Sequence, residues 1–115
     1  MNRGFTLIEL LVTLSVMGII GAMAMPNLLQ ARKNALLAGE LVYAQNVYKV
    51  ANAYLAQDVN VSTLPAGAEV CLGSYSVGEY SVGTAPSSLT ACSLTVVGGH
   101  ASITYVGLAG SKTLD

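Results

Sequence analysis

The chain has 115 residues, a formal net charge of −1, 53% apolar residues and only 10% charged ones. That length suits one modest core rather than two domains, and the charge balance lacks the basic excess that marks a nucleic-acid-binding domain. Soluble domains carry about a quarter charged residues, so part of this chain is built to lie against lipid or other protein.

The first predicted element is an apolar helix. Phe5 to Met25, FTLIELLVTLSVMGIIGAMAM, contains one charged side chain, Glu9. Its 21 residues span about 30 Å as a helix, the hydrocarbon thickness of a bilayer. It is apolar on every face, unlike a half-exposed surface helix. A signal peptide is the main competing reading. Against it stand the short charged leader, the long apolar stretch and the lack of a small-x-small site before a composition change, Ala22-Met23-Ala24 being the nearest. Pro26 removes a backbone donor, and Gly18 and Gly21 each lower helix propensity by about 1 kcal/mol. Gly18 to Pro26 is therefore the weak stretch, expected to stay helical in lipid, where no water competes for the backbone, and to extend when packed among protein neighbours.

From Asn27 to about Ala56 the pattern becomes amphipathic. Leu37, Leu41, Ala44, Tyr48, Ala51 and Leu55 form a stripe at alternating spacings of four and three, which predicts a helix packed on a sheet. Arg32, Lys33, Glu40, Gln45, Lys49 and Asn52 fall off it. As one helix, Phe5 to Ala56 would measure roughly 78 Å.

Beyond Asp58 the composition turns to Ser, Thr, Gly and Val. Asn60 to Gly67 reads as a loop around Pro65 and Gly67. Strands are predicted at Glu69–Leu72, Tyr75–Val77, Tyr80–Val82, Ser93–Val97 and Ala101–Val106, with Gly98-Gly99-His100 as a hairpin connection. The echo of Tyr75-Ser-Val-Gly in Tyr80-Ser-Val-Gly suggests two short strands across Gly78-Glu79, too short for a repeat architecture. The predicted fold class is α+β: one long helix and a small antiparallel sheet. Cys71 and Cys92 sit in no C-x-x-C pair. If this half lies outside the cytoplasm, a disulfide is the default, closing a loop worth roughly 3 kcal/mol in the chain-entropy model.

Catalytic and ligand-binding signatures are missing. His100, beside two glycines, reads as a turn residue, and any Ser/His/Asp set would need it with an arbitrary acid. No glycine-rich loop precedes a helix, and Asp58, Glu69, Glu79 and Asp115 lack calcium-loop spacing. The reading is of a non-enzyme without metal or cofactor.

One N-terminal stretch is more specific. Gly4-Phe5-Thr6-Leu7-Ile8-Glu9, after a short leader containing Arg3 and before the apolar span, resembles the prepilin processing site of type IV pilins and pseudopilins. The resemblance covers about Met1 to Ala56 and implies a pilin-like fold. It implies a leader at 1–4, a membrane-spanning and filament-core segment at 5–26, an amphipathic helix at 27–56 and a β-sheet head at 57–115. It further implies cleavage between Gly4 and Phe5 by a prepilin peptidase, N-methylation of Phe5, and pairing of Glu9 with a neighbour's N-terminal amine. Pro26 matches the family's proline at the end of the segment that unwinds on assembly. An intramembrane carboxylate is costly unless paired, and Glu9 near a helix start also gains from the macrodipole; snorkelling to the membrane surface is the plainer alternative.

The implied function is that of a major pilin, a self-polymerising subunit of an extracellular filament for motility, adhesion or DNA uptake. Its partners would be the membrane, the peptidase, the assembly machinery and further copies, with DNA only at the level of the whole pilus. It would begin as a single-pass inner-membrane protein with its N-terminus cytoplasmic. Arg3 and the amino terminus against Arg32 and Lys33 give nearly balanced flanks, so that orientation rests on the resemblance. A type II secretion pseudopilin is the alternative, though its major members usually lack the cysteine pair and bind calcium; a minor pilin is another. A DNA-receptor module would need a basic head, yet after Ala56 only Lys112 is basic. A single-pass anchored domain with no filament role is the fall-back.

Overall fold

A computed structural model of the chain describes residues 4–57 and 60–115. The first three leader residues, with Arg3, lie outside them, as does Asp58. One helix and five strands follow in chain order: α1 (Leu7–Gln57), β1 (Ser74–Val77), β2 (Tyr80–Thr84), β3 (Ala91–Val97), β4 (His100–Gly107) and β5 (Gly110–Leu114). The chain divides into two compact units, with the boundary between Asn34 and Ala35.

In the first unit every residue from Gly4 to Asn34 is exposed. The predicted apolar helix is present, with Pro26 inside it. Thr13 and Ser15 turn their hydroxyls back onto the carbonyls of Leu10 and Leu11, at 2.9 and 2.8 Å. Such back-bonding hides the polar atoms within the helix, so the outer surface here is as apolar as the sequence suggests.

The second unit is α+β, with antiparallel strands in two sheets, β1-β2 and β3-β4-β5. Period-two burial builds the core: Cys92 and Leu94 point inward from β3, and Ala101, Ile103 and Tyr105 from β4. Tyr75 and Val77 do so from β1. α1 contributes Tyr43, Ala44, Val47, Ala51 and Leu55.

That set corrects the predicted stripe. Ala44, Ala51 and Leu55 are core residues as expected, but Leu41 is exposed, Leu37 and Tyr48 are only half-buried, and Tyr43 and Val47 take their places. Glu40, expected on the outer face, is only 2% exposed. The packed face is rotated from the predicted one because the large side chains facing the sheet are Tyr43 and Val47, with Glu40 one turn earlier.

The turns follow their glycines. β1 and β2 pair Val77 with Tyr80 across Gly78-Glu79, as the echo suggests. Gly78 is required twice over, by φ +60 and by the Tyr54 ring that a Cβ would meet. β3 and β4 pair Val97 with His100 across Gly98-Gly99. Both glycines have positive φ, the geometry of a two-residue hairpin turn. Asn60 to Gly67 is a loop, as predicted.

Two strand expectations need correcting. Glu69–Leu72 is not a strand; only Val70 makes a bridge, to Ser93. Its backbone leaves a turn closed by the Ala68 amide on the Pro65 carbonyl, then hands the Leu94 amide to the Glu69 carbonyl and the Cys71 amide to that of Cys92. The segment thus covers the β3 edge without forming a regular ladder. β5 was not expected, since GSKTL has almost no apolar content; it exists because β4 pairs with it from Gly107 to Ile103.

Candidate functional site

The residues singled out by sequence fall into three places. Gly4, Phe5 and Glu9 stand together at the start of α1, Gly18, Gly21 and Pro26 lie further along the apolar stretch, and Cys71 and Cys92 are bonded in the head.

At the helix start, Gly4, Phe5 and Thr6 precede the first turn. Thr6 is the N-cap. Its amide and hydroxyl both donate to Glu9 Oε2, at 3.0 and 2.8 Å, and the Glu9 amide points at the Thr6 hydroxyl at 3.4 Å. This is a reciprocal capping box, the glutamate three residues after the cap. Thr6 is therefore a hydrogen-bond partner of Glu9 that the sequence reading passed over, although T-x-x-E is itself a legible capping signal. Phe5, Ile8, Glu9, Val12 and Thr13 line a shallow groove beside the carboxylate. The arrangement presents one anionic group on an exposed apolar rod.

The glycines of this stretch are not demanded by the chain's own fold. Gly4, Gly18 and Gly21 have no positive φ, and a Cβ on any of them would meet nothing within 4 Å. At Pro26 the ring removes the amide that would bond to the Ala22 carbonyl.

In the head, Cys71 and Cys92 form a disulfide with Cα atoms 5.1 Å apart. The Tyr43 hydroxyl shares its proton between the carbonyls of Cys71 and Gly73, at 2.9 and 3.0 Å. The bonded loop is thus tied to both β3 and α1. Burial pushes the Tyr43 hydroxyl above its ordinary pKa, and the same cause, with Tyr43 as neighbour, raises Tyr75.

Glu40 is the feature that sequence reasoning missed. Its Oε1 accepts the Leu108 amide at 3.2 Å, and a Cβ added at Gly107 would land on its carboxylate. Tyr105 is raised by burial and then by the Glu40 charge. A charged residue is set aside when an apolar stripe is traced, so no sequence signal marked it.

The prokaryotic N-terminal methylation motif, as a family model, matches residues 1–25. The type IV wide pilus major component PilA4 of Thermus thermophilus is 38% identical over 71 residues, 62% of this chain and 53% of that protein. In its N-terminal motif and over those 71 residues the chain is similar to type IV pilin subunits. The chain spans about half the length of the curated relative it matches. No solved structure matches it.

Proposed function

We propose that this chain is the major subunit of a type IV pilus, made as a membrane-anchored precursor and polymerised through its N-terminal helix into an extracellular filament. The observation that carries the reading is the complete exposure of an apolar helix from Leu7 to Leu29 with Glu9 at its start. α1 is long and apolar enough to cross a membrane. So large an apolar surface on a chain with a separate, finished core needs lipid or further copies to cover it.

In this account a prepilin peptidase cuts between Gly4 and Phe5, and Phe5 becomes the methylated N-terminus. Gly4 is small because an external active site must reach it; nothing in its own surroundings asks for glycine. Glu9 then exchanges its Thr6 cap for the amine of a neighbouring subunit. A buried charge left without its partner costs several kcal/mol, which selects one stagger of the helices. Gly18, Gly21 and Pro26 make the stretch that extends on assembly. The pilus reading is favoured over a secretion pseudopilus by the Cys71–Cys92 disulfide.

Replacing Gly4 with a bulky residue tests the processing step. The variant should retain its leader and yield no filaments. A normal N-terminal Phe5, found by mass spectrometry of that variant, would remove the assignment.

A further inference from the structure

The exposed apolar stretch ends at Leu29, and the next charged side chains are Arg32 and Lys33, one helical turn on. Both are exposed, and neither has an ion-pair partner among the described residues. The helix offers none. Positions three and four away from the pair are Leu28, Leu29, Gln30, Ala35, Leu36 and Leu37, the places from which an acid could reach it. Two cations are therefore framed by leucines, with no carboxylate in range. Their complement is an anion that lies beside an apolar medium.

Length points to the same partner. From the helix start at Leu7 to Arg32 is 25 steps, about 37 Å at 1.5 Å per residue. A bilayer's hydrocarbon is about 30 Å thick and its full width with headgroups about 40–45 Å. Once Glu9 and the chain start lie at one face, the pair falls at the headgroup level of the other. Being adjacent, the two side chains project about 100° apart, so each reaches a different lipid. Their stems can lie along acyl chains while the charges reach outward, and the guanidinium fork matches two phosphate oxygens.

We propose that Arg32 and Lys33 clamp lipid headgroup phosphates and fix the depth of the unassembled subunit. This rests on the membrane-anchored reading above. The full chain contains no tryptophan, so Met23→Trp supplies a single depth probe for brominated lipids. In phosphatidylcholine vesicles, adding Arg32→Gln and Lys33→Gln should move the probe inward, raising the ratio of deep to shallow quenching about twofold as the following leucines pull the helix in. The swap Arg32→Lys with Lys33→Arg should hold the original depth. In vesicles of a phosphate-free galactolipid, the chain with both cations should already sit at the variant's depth.

An unchanged depth in the glutamine variant would overturn the clamp while leaving the anchor intact. Absence of quenching by any brominated lipid would instead remove the membrane reading. Excess inorganic phosphate that reproduced the variant's depth would assign the pair to free phosphate and overturn the lipid assignment.

Discussion

The two ends of α1 are equally helical and opposite in what covers them. Between Leu7 and Leu29 its leucines, isoleucines, valines and methionines are exposed, whereas beyond Ala35 Tyr43, Ala44, Val47, Ala51 and Leu55 are sealed under the sheets. Among the described residues, the second stretch is covered by its own chain, while the first is exposed. The same contrast holds for the two carboxylates. Glu9 sits on the bare stretch, capped only by Thr6, while Glu40 is enclosed in the head against Leu108. Apolar surface left uncovered needs lipid or another protein to cover it, and covered surface holds the head in shape.

Breaking this contrast should have its largest effect on the bare end. Glu9→Ala should leave the protein in the membrane but abolish most filaments, as seen by electron microscopy of sheared surface material. Abundant filaments from that variant would remove the pairing argument. Changes in the head should instead act on stability. Loss of the disulfide through Cys71→Ser with Cys92→Ser should lower it by roughly 3 kcal/mol, read from thermal unfolding of the full chain in detergent. Free thiols at both positions in the mature protein would contradict the bonded head.

Gly107→Ala should cost about 1–3 kcal/mol, because the new methyl meets the Glu40 carboxylate. That cost should shrink in a Glu40→Ala background, and a double-mutant cycle measures the coupling. Equal costs in both backgrounds would separate the two residues.

The smallest effect concerns pH. Tyr43, Tyr75 and Tyr105 have hydroxyls raised above the ordinary value of 10.0. The folded head thus binds more protons than the unfolded chain above that value, so its stability is full below about pH 10 and declines as pH rises past it. Denaturant midpoints that stay level through this range would contradict the burial of these hydroxyls.

Much of this was legible in the sequence. Gly78-Glu79 and Gly98-Gly99 announce their hairpins because backbone sterics act locally, and the apolar run from Phe5 announces a helix long enough to span a bilayer. What was not legible depends on the partner surface. Leu41 and Tyr48 fit a helical period as well as Tyr43 and Val47 do, and only the position of the sheet decides between them. Glu40 was set aside because a carboxylate is buried only where a group such as the Leu108 amide meets it, which no local pattern reveals. β5 is a strand by virtue of β4, and Val70 fails to start one because the Pro65 turn and the disulfide bend the chain along the β3 edge.

The central claim is that the bare helix becomes the core of a filament after cleavage at Gly4. Mass spectrometry of sheared surface filaments tests it most directly. The account predicts that this chain is the principal subunit and that its N-terminal peptide begins with methylated Phe5. Filaments lacking the chain, or carrying it with residues 1–4 still attached, would contradict it.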